Sequence, residues 1–288
     1  MLKIAALIIT AIGLGCYFYF APRFNHGMVD YVLFHPPDRK IDKKIEIAGI
    51  TGKHYKISST TTNDAKAAVT LDCILFKAPD EKGVVLFSQG VGSSINCLAD
   101  HFKIATMLDL GYSVCIYDHE GYGLSTGKCD LNRIVPGVLA AYDFLVKTLH
   151  YDRGSIIGYG ESFGGGVTTE LHKLRPLKAI ILESTFISTK QWADDQAGFT
   201  AIYPSFLFME PTFDNLAMLK GTHPPALLIA AMHDKSMPPS HAVIMQKEAK
   251  PPFNFVNLPN SEHAMVSKSD RPAYKQAMQT FFNQFDAH

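Results

Sequence analysis

Three residues far apart in the chain, Ser162, Asp234 and His263, are of the types that together perform acyl transfer. A serine hydroxyl is a weak nucleophile until a base takes its proton, and the base must be held in the right tautomer by a carboxylate. Ser162 is the centre of Gly160-Glu161-Ser162-Phe163-Gly164, preceded by the apolar run Ser155-Ile156-Ile157-Gly158-Tyr159 and followed by Gly165-Gly166-Val167. This G-x-S-x-G spacing serves a turn so sharp that the serine backbone is strained, and glycines two residues to either side remove side chains that would collide. A helix starting just after Ser162 aims free N–H groups and the positive end of its dipole at the hydroxyl, where an oxyanion would develop. Read alone, the pentapeptide is equally compatible with an unreactive glycine-rich turn, so its surroundings must decide.

Twelve histidines and 27 acidic residues offer many partners. Two requirements narrow them: the chain order Ser, Asp/Glu, His, and a place just beyond a strand for each. Asp234 lies four residues after the apolar run Ala226 to Ala230, in Met232-His233-Asp234-Lys235-Ser236-Met237-Pro238-Pro239, and is the best acid. His263 lies five residues after Leu258, in Pro259-Asn260-Ser261-Glu262-His263, and is the best base. His233 and His241 read as structural surface histidines, and Glu161 and Glu262 only flank the triad positions. Asp118 follows a strand but precedes Ser162, so it is assigned to hydrogen bonding within its own glycine-rich loop. The oxyanion needs two donors. Phe163 N–H follows the nucleophile, and Val91 N–H lies in Gln89-Gly90-Val91-Gly92-Ser93-Ser94, directly after the apolar strand Gly83 to Ser88. The ring of Phe163 is expected to form a pocket wall.

The elements that would position these residues alternate. Lys43 to Ile50 and Lys53 to Ser59 read as an early antiparallel pair, Thr60 to Lys66 as a loop, and Val69 to Phe76 as a further strand. Strands at Gly83 to Ser88, Tyr112 to Tyr117, Ser155 to Tyr159, Leu177 to Glu183, Ala226 to Ala230 and Phe253 to Leu258 are interleaved with helices. Three of these are placed at Asn96 to Leu110, Val135 to Leu149 and Tyr274 to Phe285. That alternation predicts an α/β fold with a mostly parallel sheet covered on both faces. Residues 184–223, rich in Phe, Met and Trp and broken by Pro204 and Pro211, read as a small cap over an apolar pocket or as helices packed on the sheet.

The 288 residues are 47% hydrophobic, with 27 basic and 27 acidic side chains, so no net field would draw nucleic acid. There is no Cys/His spacing for a metal, and the chemistry needs no cofactor. Cys73, Cys97, Cys115 and Cys129 read as small packed hydrophobes, with a Cys97/Cys129 bridge left open. From Ile4 to Ala21 the chain is nearly all apolar and ends in Tyr17-Phe18-Tyr19-Phe20. We read residues 1–22 as an uncleaved transmembrane signal anchor, against the rival of a removed signal peptide. Residues 23–42 are then a membrane-proximal connector and 43–288 the globular domain, which is placed on the non-cytoplasmic side.

With these residues in hand the sequence resembles the α/β-hydrolase superfamily, in particular its single-pass membrane-anchored serine hydrolases often labelled serine-aminopeptidase-like. The resemblance covers roughly residues 28 to 285. It rests on Gly90 to Ser94, on Asp118 through Gly121-Tyr122-Gly123-Leu124-Ser125 as a D-x-x-G-Y-G-x-S signature, on the GESFG pentapeptide, and on the Asp234/His263 pair. It departs at Gln89, where His is usual, and at Glu120, where Arg is usual and the charge beside the site is therefore reversed. The resemblance implies a cofactor-free serine hydrolase of small acyl esters, thioesters or lipids. The alternatives are a peptidase on the same triad and a membrane-tethered binding protein without turnover.

Overall fold

The computed structural model describes residues 2–37, 44–59, 69–97, 100–196 and 198–286. Two short strands, β1 (Glu46–Ile47) and β2 (Ile50–Thr51), pair with each other antiparallel. The remaining strands are β3 (Lys53–Ser59), β4 (Val69–Phe76), β5 (Gly83–Ser88), β6 (Tyr112–Tyr117), β7 (Ile156–Glu161), β8 (Ala179–Glu183), β9 (Ala226–Ala231) and β10 (Phe253–Leu258). They form one sheet in the order β10-β9-β8-β7-β5-β6-β4-β3. Only β3 with β4 and β4 with β6 run antiparallel; every other neighbour pair is parallel. The expected early pairing is thus corrected. The β3 strand takes β4 as its partner, Lys53 opposite Leu75, whereas the residues before it turn back on themselves at Ala48 and Gly49 (φ 52° and 76°).

Every residue of β5, β6 and β7 is buried, as expected for parallel strands covered on both faces. Strand alternation divides their side chains between two cores. Val84 and Leu86 join one core with residues of α4 (Leu131–Lys147), α5 (Phe163–Leu174), α7 (Asn215–Lys220) and α8 (Pro239–Glu248). Val85 and Phe87 join the other, with residues of α3 (His101–Asp109) and α9 (Arg271–Asp286). Stacking of Tyr112 on Phe282, with centroids 4.1 Å apart, fastens α9 to that second face, and burying such a ring is worth about 2 kcal/mol. Helix starts follow their caps rather than hydrophobic periodicity alone. Asp130 accepts from Asn132 N–H at 2.8 Å and opens α4 before the expected Val135, and Asp100 accepts from Phe102 N–H at 3.0 Å and opens α3.

The apolar N-terminus forms α1 (Leu2–Tyr19), and α2 (His26–Leu33) follows it. Among the described residues no helix is long and apolar enough to cross a membrane, so the signal-anchor expectation and the single-pass location drawn from it are not supported. The end of α1 is also committed to protein: Tyr17 Oη donates to Ile202 O at 2.9 Å, its ring stacks on Tyr203, and Ala21 is fully buried. The loop expected at Thr60 to Lys66 lies outside the described residues. Cys129 is a buried free thiol, and the side chain of Cys97, with which a bridge was left open, lies outside what the structure describes; Cys73 and Cys115 are buried with Sγ atoms 3.0 Å apart.

Backbone contact at the turn after β7 leaves no room for a side chain. A methyl on Gly160 would collide with Gly164 O and come 2.5 Å from Gly165 Cα, whereas one on Gly27 meets nothing within 4 Å. Gly160→Ala is therefore expected to lower unfolding stability by about 2 kcal/mol or more, and Gly27→Ala, inside α2, to leave it equal or up to about 1 kcal/mol higher. Urea unfolding of the two variants measures the contrast.

Candidate active site

Ser162 sits between β7 and α5 at φ 57° and ψ −124°, a conformation that costs a non-glycine residue on the order of 1–3 kcal/mol. It persists because neighbours fix both of its peptide groups. Ser162 N–H donates to Glu183 O at 2.9 Å, and Ser162 O accepts from Thr185 Oγ1 at 2.7 Å and Gly165 N–H at 3.0 Å. Thr185 is held in turn by Asn215, whose Nδ2 donates to Thr185 Oγ1 at 3.1 Å and to Phe186 O at 2.9 Å.

The three residues selected from the sequence meet. His263 Nε2 is 3.0 Å from Ser162 Oγ, and His263 Nδ1 is 2.8 Å from Asp234 Oδ2. Asp234 is 5% exposed, and its Oδ1 accepts from Ser236 N–H at 2.9 Å and Met237 N–H at 2.7 Å, which fixes the carboxylate plane. The imidazole is more accessible, with 28% of its side chain exposed. The arrangement can pass a proton from a hydroxyl to a ring nitrogen while the other ring N–H stays held. Phe163 opens α5, so its N–H has no carbonyl one turn earlier to bond. Gly90 packs against the serine, where a Cβ would lie 3.0 Å from Ser162 Cβ and 3.3 Å from Oγ, and this brings the Gly90-Val91 backbone to the same hydroxyl.

That loop is braced from below by the glycine-rich segment after β6. Asp118 Oδ1 accepts from Gln89 Nε2 at 2.9 Å and Ile95 N–H at 2.8 Å, and Tyr122 Oη donates to Val91 O at 2.8 Å. Asp118 therefore bonds across to the Gln89 loop instead of only within its own, and the Gln89 side chain is part of the support. Burial pushes the Asp118 carboxyl up to about 7, against the bonds from Ile95 and Gln89, and pushes the fully buried His119 down to about 4. Glu120, where the resemblance expects Arg, is turned to Arg133 Nε at 2.5 Å, so its charge is met by a partner and does not face Ser162 unopposed. Burial raises its carboxyl, and the Arg133 bond offsets part of the rise.

Two other readings need correction. The Phe163 ring is 2% exposed and packs among Phe34, Phe186 and Phe213, with centroids 5.9, 6.2 and 4.9 Å away, so it is core and not a pocket wall. His241 is buried rather than a surface histidine: its Nδ1 accepts from Ile187 N–H at 3.1 Å, and burial lowers its proton affinity. The segment 184–223 forms α6 (Thr189–Gln196), α7 and short 3-10 turns. Its aromatics serve both proposed purposes. Phe186 and Phe213 are fully buried, while Trp192, Tyr203, Phe208 and Met209 join Met28 and Leu33 of the N-terminal segment around an apolar cavity of about 140 Å³. Sequence reasoning quoted Tyr122 only as part of a signature, without its bond to Val91 O, and gave no role to Glu183 or Lys103. A lysine on the buried stripe of α3, one turn before Met107, is the signal that could have found the last.

The parallel sheet clothed on both faces, with the sharp strand-to-helix turn at Ser162, defines an α/β-hydrolase fold. Residues 79–235 match the family described as Serine aminopeptidase, S33, and the chain belongs to that family. Among relatives, it is 22% identical over 280 residues to the alpha/beta hydrolase domain-containing protein aho-3 of Caenorhabditis elegans, across 93% of this chain and 81% of that protein. It is 29% identical over 169 residues to WAV2 of Arabidopsis thaliana, another alpha/beta hydrolase domain-containing protein, across 52% of this chain and 54% of that one. In fold it is similar to the Pyrococcus furiosus esterase Pf2001, with a TM-score of 0.67 at 17% identity, covering 88% of this chain and 98% of the esterase. It is similar also to the esterase domain of a Rhodothermus marinus protein, with a TM-score of 0.59 at 16% identity, covering 81% and 98%.

The Asp118 carboxyl carries a pH signature of known sign. Between its unfolded value of 3.8 and about 7, the folded protein keeps a proton that the unfolded chain has released, so this group's contribution to stability falls as pH rises through that window. Asp118→Asn keeps the Oδ1 acceptor and cannot ionise. Its stability relative to wild type is expected to rise steadily from pH 4 to pH 7, read from urea midpoints of both proteins.

Proposed function

We propose that the protein is a serine acyl hydrolase acting on carboxylic esters or thioesters, carried above all by the 3.0 Å approach of His263 Nε2 to Ser162 Oγ with Asp234 behind the ring. In this reading His263 takes the Ser162 proton as Oγ attacks the acyl carbon. The oxyanion is received by the N–H groups of Val91 and Phe163, and the imidazolium returns its proton to the departing alcohol or thiol. Water activated by the same histidine then cleaves the acyl-enzyme.

An ester is favoured over a peptide substrate. An aminopeptidase needs a carboxylate free to hold the substrate amine, yet the two acids nearest the elbow, Glu161 and Glu183, are both turned to Lys103, and Asp234 is taken by His263. A fatty-acyl or other lipid-like substrate is the class that the wholly apolar cavity beneath α2 would suit; its lining residue Val32 is 59% exposed and reaches the surface, and Ser162, Asp234 and His263 are not among the residues that line it.

Fluorophosphonate labelling tests the reaction class: wild type is expected to label and Ser162→Ala to give none, and a wild type that stays unlabelled would overturn the reading. Asp234→Asn is expected to lower kcat on p-nitrophenyl esters about 10⁴-fold with little change in KM. Activity that rises with acyl length supports the lipid-like substrate, and faster turnover of aminoacyl amides would favour the peptidase.

A further inference from the structure

Beneath the elbow lies an ionic cluster that the proton transfers do not use. The Lys103 ammonium is 2% exposed and donates to three acceptors on three separate segments: Glu161 Oε2, Glu183 Oε1 at 3.3 Å and Ala264 O at 3.0 Å. Each of these segments bears on the site. Glu161 immediately precedes Ser162, Glu183 supplies the carbonyl that accepts Ser162 N–H, and Ala264 immediately follows His263. The start of α3 grips the histidine loop a second time, because Asp100 Oδ2 accepts from Val266 N–H at 3.1 Å. Tyr159 Oη donates to the other oxygen of Glu183 and lies 3.0 Å from Tyr274 Oη, so hydroxyls meet the formal excess of one carboxylate over one ammonium.

A buried ion cluster is a weak source of net stability, since desolvation offsets the attraction. Geometry is what it supplies. An ammonium directs its N–H bonds tetrahedrally, so placing three acceptors around one nitrogen fixes the segments that carry them relative to one another. We propose that Lys103 is a positioning residue that sets the distance between Ser162 and His263, with Glu161, the variable residue of the pentapeptide, as its counter-charge. The inference deepens the hydrolase reading and rests on it. An apolar side chain at position 103 would leave the Ala264 carbonyl untethered and free the histidine loop to drift. A misplacement of about 1 Å at a reacting pair costs on the order of 100-fold in rate.

The test is the concentration dependence of fluorophosphonate labelling of the full chain, which separates kinact from KI. It compares wild type, Lys103→Met and Lys103→Met/Glu161→Gln; the double variant keeps the formal charge of the cluster unchanged and carries the test if the single one does not fold. The expected result is a fall of about tenfold or more in kinact at unchanged KI in protein whose circular dichroism matches wild type. A smaller fall, a loss carried by KI, or a double variant that does not fold would each overturn the proposal and leave Ser162 chemistry standing. Absence of label on wild type would instead remove the hydrolase reading itself, and this inference with it.

Discussion

The strained peptide at Ser162 is the constraint from which the rest of the structure can be understood. A serine at φ 57° and ψ −124° does not hold that conformation alone. It is held because β8 offers a carbonyl to its N–H, Thr185 and Gly165 donate to its carbonyl, and the backbones before and after it approach closer than any Cβ would allow. Gly160 and Gly164 are therefore the packing surface itself, since α5 can begin against β5 and β7 only where those two positions are bare. The central placement of β7 in the sheet follows. A strand flanked by β5 and β8 brings Ser162 to the Gly90-Val91 loop at the end of one neighbour and to its own restraints at the end of the other.

The signature after β6 has a mechanical part in this arrangement. Asp118 and Tyr122 both bond to the segment that begins at Gln89, and Ser125 Oγ joins Asp118 O at 2.8 Å to the N–H of Asp72 at 2.9 Å, tying the loop to β4. Burying a carboxyl here is costly, as its raised proton affinity indicates, and the cost is offset in part because the carboxyl accepts from both the Gln89 amide and the Ile95 N–H and so holds the two ends of that loop. Gln89 fits this function. Its amide donates to Asp118 and to Tyr117 O, so the loop is supported by a neutral group and adds no charge beside Ser162.

What could be read from the sequence divides along physical lines. The buried parallel strands and the Ser162, Asp234 and His263 constellation were legible, because unbroken apolar runs and strand-end spacing encode them locally. Helix starts were less so: α4 and α3 begin where Asp130 and Asp100 cap them, and a lone aspartate is a weak signal beside hydrophobic periodicity. At the N-terminus, apolar composition alone does not distinguish a bilayer from a protein surface. Tyr17 and Ala21 are covered by the turns around Tyr203 and Leu207, which lie some 180 residues away and give no local trace. The helix α2 was hidden for the same reason, since its apolar face is completed by α4 and the 184–223 segment. Arg133 as the partner of Glu120 was likewise a contact between elements that only the fold brings together.

Strand alternation explains why an ionic cluster lies on one side of the elbow and an aromatic one on the other. In β7, Ile157, Tyr159 and Glu161 point to the face covered by α3 and α9, whereas Gly158 and Gly160 face α5. The residue before Ser162 is thus committed to the α3 side by parity alone, and so is Glu183, two residues after Ile181 in β8. Once two carboxylates are placed there, that face must supply a cation, and α3 supplies it from the same stripe as Met107. The residue after Ser162 leaves on the opposite side, where Phe163 finds Phe34, Phe186 and Phe213. A slip of one residue in β7 would exchange the two faces, placing a carboxylate among aromatic rings and a glycine where Lys103 now meets Glu161. Register in this strand is accordingly specified by charge as well as by hydrophobic burial, and Glu161 is tied to the α3 face independently of the chemistry at Ser162.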